Sequence, residues 1–200
     1  MVCRLCGLFL LLLATSAFAG EYNAVLSPGD AAPSWRELPG VDGRRYSLAD
    51  FQDKKVVVVV FTCNTCPIAV DYEDRIIDFA QRNADKVAVV AINVGQGAGE
   101  SLDAMRQRAE QKKFPFPYLS DETQQIGRDY GAGATPEFFV LSPERKIVYM
   151  GAMDDNSDAT KVKVRYLDDA VAAALAGKTP ATQETYAHGC RIRYARQRRP

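Results

Sequence analysis

The sequence has few residues that bind metals and no excess of charge. It contains one histidine, and Cys63 and Cys66 form the one Cys-x-x-Cys pair beyond residues 1–19. A structural zinc site commonly needs a second such pair or a pair of histidines, so this composition argues against zinc. Basic and acidic residues balance at 25 each, and five arginines lie in the last ten positions. The rest of the chain is therefore mildly acidic, which is not typical of a nucleic-acid-binding protein.

The chain also lacks a second long apolar run and a phosphate-binding motif. Gly95–Gly99 has no Gly-Lys-Ser/Thr, and its third glycine is misplaced for a dinucleotide fingerprint, so we predict a flexible connection. The apolar run Leu8–Leu13 is too short for a membrane span. It follows Arg4 and precedes Ala17-Phe18-Ala19, a pattern typical of a signal peptide that is cleaved after Ala19. We predict that residues 1–19 are removed and that the protein is exported to the periplasm or secreted.

Three cysteines remain after that cleavage, at Cys63, Cys66 and Cys190. An oxidising compartment allows disulfides to persist, yet three cysteines are too few for a disulfide scaffold and leave an odd thiol. Two interpretations of Cys190 stay open. It is either a thiol without a redox role or an additional redox cysteine that packs against the other two, with His188 as a candidate base.

The cysteine pair lies where a buried strand meets a helix. Val56–Phe61 is a continuous apolar run of five β-branched valines and a phenylalanine, which predicts a strand that is buried on both faces. Apolar residues at helical spacing predict a helix from about Pro67 to Asn83. Because a helix N-terminus offers unpaired N–H groups and partial positive charge, we expect it to stabilise a reactive thiolate at Cys63.

The remaining elements predict one α/β domain over residues 28–177 with a solvated tail over 178–200. A strand over Lys86–Asn93 completes a βαβ unit, whose strands are parallel. The other predicted elements are a hairpin around Asp42-Gly43, a helix over Glu100–Lys113, a hairpin joining Glu137–Leu141 to Lys146–Met150, and a helix from Val164 to Leu175.

These residues permit thiol–disulfide exchange. Cys63 attacks a substrate disulfide, and Cys66, one turn into the helix, resolves the mixed disulfide. A purely structural bond across two residues would stabilise little. Thr135-Pro136 precedes a predicted strand. A trans proline at the start of that strand is one interpretation, and an X-Pro bond can also be cis. A cis bond facing the cysteines would present the backbone of Thr135 to an extended peptide substrate by strand addition.

The combination of Cys63-x-x-Cys66 at a strand–helix junction with Thr135-Pro136 before a later strand resembles the thioredoxin fold. The N-terminal extension, the extra helix around Met105 and the ending Gly189-Cys190-Arg191-Ile192 are similar to its redoxin branch, of the alkyl hydroperoxide reductase/thiol-specific antioxidant type. The resemblance implies a central mixed β-sheet flanked by helices, with an N-terminal β-hairpin and one inserted helix. It also implies an oxidoreductase that needs no organic cofactor.

The chain departs from both patterns of that fold. Thioredoxins carry a buried aspartate where Val57 stands, and the dipeptide Asn64-Thr65 is typical of neither reducing nor oxidising members. The threonine position of true peroxiredoxins holds Val60 or Cys63, depending on which cysteine is aligned. The direction of electron flow therefore stays open, and peroxidase activity takes second place.

We predict an exported thiol–disulfide oxidoreductase that acts through a Cys63/Cys66 couple, with Thr135 and Pro136 shaping the substrate cleft. One alternative is a peroxiredoxin-like thiol peroxidase. Another is a copper(I)-binding or delivery protein, because paired thiolates are soft ligands, with Cys190 or His188 as a third. The expected partners are a disulfide-containing protein or a small thiol as substrate, and a membrane or thioredoxin-like electron donor. Contact of the arginine-rich tail with a membrane is left open.

Overall fold

The computed structural model describes residues 20–196. The predicted signal peptide, residues 1–19, and the last four residues, 197–200, lie outside this range. Within it, no helix combines the length and the hydropathy that a membrane crossing requires.

The predicted strands and helices occur in the predicted order, and the structure adds short strands at Ala134–Thr135 and Cys190–Arg191. The strands are β1 (Leu38–Pro39), β2 (Arg45–Tyr46), β3 (Val56–Thr62), β4 (Val87–Asn93), β5 (Tyr118–Ser120), β6 (Ala134–Thr135), β7 (Glu137–Leu141), β8 (Ile147–Gly151) and β9 (Cys190–Arg191). The α-helices are α1 (Pro67–Asn83), α2 (Leu102–Lys112), α3 (Gln125–Asp129) and α4 (Tyr166–Leu175).

A central five-stranded sheet has the order β5-β4-β3-β7-β8. Strands β3, β4 and β5 are parallel, whereas β7 and β8 run antiparallel to their neighbours. Strands β1 and β2 form the predicted N-terminal hairpin. This arrangement confirms the predicted thioredoxin fold, a mixed sheet flanked by helices with a hairpin extension and the inserted helix α2.

Strand β3 is the centre of the core, as its valine run predicts. Val57, Val59 and Phe61 face one apolar cluster, whereas Val56, Val58 and Val60 face the cluster on the opposite side of the sheet. All six side chains are fully buried. The first cluster contains Trp35 and residues of the hairpin, and the second contains the inner faces of α1 and α4. A strand covered on both faces has no room for an alternating polar pattern.

The segment after α4 is not a free solvated end over its described part. Met150 at the sheet edge exchanges backbone hydrogen bonds with Gln183 and Thr185. The chain then continues to β9, which pairs antiparallel with β6. The tail therefore runs from the β8 edge of the central sheet to the loop that precedes Pro136.

Parallel pairing brings the carboxyl ends of β3, β4 and β5 to one edge of the sheet. Thr62 lies opposite Asn93, and Asn93 lies opposite Ser120. Ligands and reactive groups of α/β sheets collect at this edge. The loop that carries Cys63 is therefore next to the loop that follows β4.

A buried ion pair attaches α1 to the loop after β8. Arg75 donates to the carboxylate of Asp154 at 2.6 Å and lies 3.6 Å over the ring of Tyr72. The hydroxyl of Tyr72 donates to the other oxygen of Asp154 at 3.0 Å. Asp154 is almost fully buried. Removing one partner of such a pair leaves the other charge buried without compensation.

We predict that Asp154→Ala lowers the free energy of unfolding by about 3 kcal/mol, because Arg75 loses its anionic partner and keeps only the carbonyl groups of Asn156 and Ser157 and the ring of Tyr72. Urea unfolding followed by circular dichroism measures this. Asp78→Ala is the matched control, since Asp78 forms an exposed ion pair with Arg82 on the same helix, and it should cost below about 0.5 kcal/mol. Equal losses in the two variants would contradict the assignment of a stabilising role to the buried pair.

Candidate active site

Three cysteines meet at Thr135. The sulfur of Cys63 lies 3.4 Å from the hydroxyl oxygen of Thr135, and the sulfur of Cys66 lies 3.2 Å from its carbonyl oxygen. Cys190 is the ladder partner of Thr135 across the β6–β9 pair. A disulfide joins Cys66 to Cys190, which are 124 residues apart in sequence. Cys63 is a free, half-buried thiol.

This pairing corrects the expected disulfide. The structure joins Cys66 to Cys190, whereas the sequence predicted a bond between Cys63 and Cys66. The physical reason is the β6–β9 ladder, which carries Cys190 into contact with the site. Of the two interpretations of Cys190, the one in which it packs on the site and forms an alternative disulfide matches this structure. That Cys63 and Cys66 act as a redox couple stays a prediction.

The N-terminus of α1 contacts the sulfur of Cys66 rather than the sulfur of Cys63. Helix α1 begins at Pro67, so Cys66 is its N-cap, and the Cys66 sulfur accepts the backbone N–H of Ala69 at 3.3 Å. The expectation that Cys66 lies one turn into the helix is therefore wrong. Proline favours the first helical position, so Pro67 already marks Cys66 as the cap.

Cys63 lies in the loop before the cap, and its pKa is raised above the ordinary value of a thiol. Burial is the main cause, and the negative charge of Glu100 adds to it. Hydrogen bonds from Thr135 and from the backbone N–H groups of Cys66 and Thr65 act in the opposite direction without reversing the shift. In this disulfide state, the surroundings of Cys63 therefore favour the protonated thiol, and the reactive thiolate expected at Cys63 in the reduced protein stays a prediction.

The Asn64-Thr65 dipeptide is held by the buried carboxylate of Glu100. One Glu100 oxygen accepts the backbone N–H of Asn64 at 2.8 Å, and the other accepts the N–H and the hydroxyl of Thr65 at 2.9 and 2.6 Å. The side-chain amide of Asn93 also donates to Glu100 at 2.8 Å. A carboxylate that accepts several charge-assisted hydrogen bonds fixes the geometry of its donors. Glu100 therefore sets the shape of the loop between the two cysteines.

A second set of hydrogen bonds closes this network. The hydroxyl of Tyr118 accepts from Asn93 and donates to the side chain of Asn64, each at 2.8 Å. Asn64 in turn donates to the carbonyl of Gly99 at 2.9 Å. Burial, together with the nearby charge of Glu100, raises the pKa of Tyr118 well above its ordinary range. Tyr118 is therefore a neutral donor that orients Asn64.

Sequence reasoning missed Glu100 and Asn93. We predicted that Gly95–Gly99 is a flexible connection, but Gly99 accepts a hydrogen bond from Asn64 and the loop delivers Glu100 to the cysteines. The sequence did contain the information needed to find them, because the predicted parallel strands β3 and β4 must end side by side. The polar residues that follow Asn93 are therefore neighbours of Cys63.

The Thr135-Pro136 peptide bond is cis and faces the cysteines, which is one of the two conformations that the sequence left open. The buried carboxylate of Glu137 accepts the N–H groups of Gly133 and Ala134 at 2.7 and 3.1 Å and so holds the preceding loop. The backbone edge of Thr135 is not open, however, because β9 pairs with it. The predicted role of Thr135 and Pro136 in substrate binding stays a prediction.

His188 takes no part in the hydrogen bonds of the Cys63 and Cys66 sulfurs and does not line the cleft beside them. It is exposed, and its ring lies edge-on against Tyr186 at 5.7 Å. Within residues 20–196, no group of three or more histidine, cysteine or acidic side chains is arranged to hold a metal ion.

The chain matches the Redoxin family over residues 27–167. A protein of Mycobacterium tuberculosis, named as a candidate peroxiredoxin, is 27% identical over 139 residues, which cover 62% of this chain and 83% of that protein. The thiol-disulfide oxidoreductase ResA of Bacillus subtilis is 26% identical over 133 residues, which cover 66% of this chain and 70% of ResA.

Among solved structures, a hypothetical protein from Sinorhizobium meliloti superposes with a TM-score of 0.79 at 33% identity. The match covers 85% of this chain and 96% of that one. The family match spans more than half of the chain and includes both cysteines of the pair, Thr135 and Pro136. The chain therefore belongs to the redoxin family and is an oxidoreductase.

Proposed function

We propose that this protein is a thiol–disulfide oxidoreductase in which a disulfide passes from Cys63 to the pair Cys66–Cys190. One observation carries the proposal. A disulfide and a free thiol share one cleft, with all three cysteines around the single residue Thr135. Neighbouring thiols and disulfides exchange through attack of a thiolate on a disulfide sulfur.

The first half of the reaction begins with all three cysteines reduced. The Cys63 thiolate attacks one sulfur of a substrate disulfide, forms a mixed disulfide and releases the first substrate thiol. The Cys66 thiolate then attacks the Cys63 sulfur, forms the Cys63–Cys66 bond and releases the second substrate thiol. The substrate gains two electrons and two protons, and two protein thiols become one disulfide.

The second half moves the bond without further oxidation. The Cys190 thiolate attacks the Cys66 sulfur, forms the Cys66–Cys190 disulfide and releases Cys63, which takes a proton. Burial and Glu100 raise the pKa of Cys63, so the released group stays protonated and its return attack is disfavoured. The disulfide of the structure is the product of this step. A dithiol donor then reduces it and restores the three thiols.

The setting of this chemistry is part of the proposal. The signal pattern in residues 1–19 supports export to the periplasm or the exterior, where a disulfide persists between cycles. The electron donor is a thioredoxin-like or membrane protein that presents a dithiol. The substrate is a disulfide, and the exchange itself requires no organic cofactor.

We predict distinct disulfide states after one turnover with the neutral probe hydroxyethyl disulfide. The reduced wild-type protein should end with Cys66–Cys190, because the bond moves on from Cys63. Cys190→Ser should stop at Cys63–Cys66, and Cys63→Ser should react at least about tenfold more slowly, because it lacks the entry thiol. Acid quenching, alkylation and peptide mass spectrometry identify each state.

Each serine variant is first compared with wild type by thermal unfolding in the reduced state, so that a misfolded variant is recognised. If wild type ends with Cys63–Cys66 and a free Cys190, the transfer step is wrong. If Cys63→Ser keeps the wild-type rate, Cys63 is not the entry thiol.

We predict that Glu100→Gln shifts the pH profile of Cys63 alkylation to lower pH. The negative charge of Glu100 disfavours the Cys63 thiolate, so removing that charge lowers the pKa and increases the thiolate fraction at pH 7. The measurement is the rate of iodoacetamide labelling of the Cys63 peptide in the protein that holds the Cys66–Cys190 disulfide.

Asp103→Asn is the control, since Asp103 is an exposed acid at the start of α2 and pairs with Arg106. It should leave the profile unchanged. A Glu100→Gln profile that coincides with wild type, or one that moves to higher pH, would contradict the assigned effect of Glu100.

Hydroperoxide reduction is the second function to test, and the similarity to a candidate peroxiredoxin favours it. Thiol-dependent consumption of hydrogen peroxide, with a sulfenic acid at Cys63, would establish this activity. The copper(I) hypothesis needs paired thiolates, and the Cys66–Cys190 disulfide leaves Cys63 as the one free thiol within residues 20–196. It therefore stays a prediction for the reduced protein alone.

A further inference from the structure

The tail of the chain occupies the edge that an extended substrate would use. In the ladder, Cys190 pairs with Thr135 and Arg191 pairs with Ala134. The N–H of Ile192 also donates to the carbonyl of Gly133 at 2.9 Å. Because a backbone edge can pair with one strand at a time, β9 excludes a peptide from β6 while it is bound there.

The tail is anchored independently of the disulfide. Ile192 is buried in the core, and the hydroxyl of Tyr194 donates to the carbonyl of Ala132 at 2.7 Å. The buried amide of Gln124 donates to the carbonyl of Arg193 at 3.1 Å and accepts the N–H of Ala195 at 2.8 Å. These contacts do not depend on the oxidation state of Cys190. We expect β9 to remain on β6 after the disulfide is reduced.

Gly189 allows the tail to approach closely. A Cβ atom at this position would lie 2.3 Å from the carbonyl oxygen of Thr135 and 2.6 Å from its carbonyl carbon. No side chain fits at position 189 unless β9 or the loop before Pro136 moves. The position just before Cys190 is thus built for close contact between the tail and the cis-proline loop.

The open side of the site is a cleft of about 440 Å³ between the cysteine loop and the tail. Cys63 and Gln96 line one part of it, and Arg191 and Arg193 line another. Both arginines are exposed, and neither forms a salt bridge within residues 20–196. Among the residues that the structure describes, no acidic side chain lines the cleft. The carboxylate of Glu100 is buried behind the loop and is occupied by its donors.

We propose that the substrate is a small disulfide that carries carboxylates, and that extended peptides are excluded. This inference rests on the proposed function. A small molecule reaches Cys63 through the cleft without pairing with Thr135, and its carboxylates meet the guanidinium groups of Arg191 and Arg193. Arginine recognises carboxylates well because its planar group offers paired donors. Such a substrate reacts with Cys63 and then with Cys66, and it gains two electrons and two protons.

The experiment compares three aliphatic disulfides in single turnovers with the reduced protein. The probes are dithiodipropionate, which is dianionic, cystamine, which is dicationic, and neutral hydroxyethyl disulfide. Each rate is divided by the rate of the same probe with free mercaptoethanol, which removes differences in intrinsic reactivity. We expect dithiodipropionate to react about tenfold faster than cystamine at low salt, with the ratio falling as salt rises.

The double variant Arg191→Gln/Arg193→Gln should reduce that ratio by about five- to tenfold. The matched control is Arg36→Gln/Arg165→Gln, which removes the same charge from two exposed arginines that do not line the cleft. It should preserve the ratio. Equal normalised rates for the dianion and the dication in wild type would overturn the proposal. It would also be overturned if the control variant lost as much of the rate ratio as Arg191→Gln/Arg193→Gln does.

A disulfide-linked dimer of a neutral ten-residue peptide tests whether β9 excludes extended peptides from the edge of β6. Wild type should reduce it at least about tenfold more slowly than hydroxyethyl disulfide, and Gly189→Ala should narrow that gap by displacing β9. A peptide rate equal to that of the small probe in wild type would overturn the exclusion. If wild type reduces no probe through Cys63, the proposed function itself has failed, which is a different outcome from a lack of charge preference.

Discussion

The pairing of β9 with β6 at Thr135 is the contact on which the site depends. It sets Cys190 against Cys66 while Cys63 lies at the Thr135 side chain. It also closes the backbone edge beside Pro136. Without this pairing, the chain would present two cysteines and an open peptide edge. With it, the chain presents three cysteines, a disulfide that does not include Cys63 and a cleft that we propose admits small molecules.

The electrostatics of the site distinguish its two central sulfurs. Cys66 caps α1 and accepts a helical N–H, whereas Cys63 is half-buried near the charge of Glu100 and has a raised pKa. While the Cys66–Cys190 bond is present, the raised pKa keeps Cys63 mostly as a thiol, and a thiol attacks a disulfide far more slowly than a thiolate does. Cys63 is therefore slow to attack Cys66 again, and the Cys66–Cys190 disulfide persists beside a free thiol at Cys63. Glu100 contributes to the raised pKa of Cys63 while also fixing the loop between Cys63 and Cys66.

Much of the fold could be predicted from local patterns. The buried valine strand and the helix that begins at Pro67 each follow from nearby residues, and the structure confirms them. The sequence allowed a cis bond before Pro136 without requiring it, and the structure has the cis form. The partner of Cys190 could not be predicted, because the segment after α4 has no periodic pattern and its position depends on distant contacts. Glu100 escaped notice because it follows a glycine-rich loop. Its place beside the cysteines becomes clear once β3 and β4 are paired.

The reduction potential of the Cys66–Cys190 couple tests the central claim most directly. It can be measured in graded thiol–disulfide buffers, with the oxidised fraction of the Cys66–Cys190 peptide pair read by mass spectrometry. A disulfide that is part of the exchange cycle should have a potential between about −120 and −270 mV, the range of known thiol–disulfide oxidoreductases. A potential below about −300 mV would mark a structural bond and would contradict the proposed transfer from Cys63.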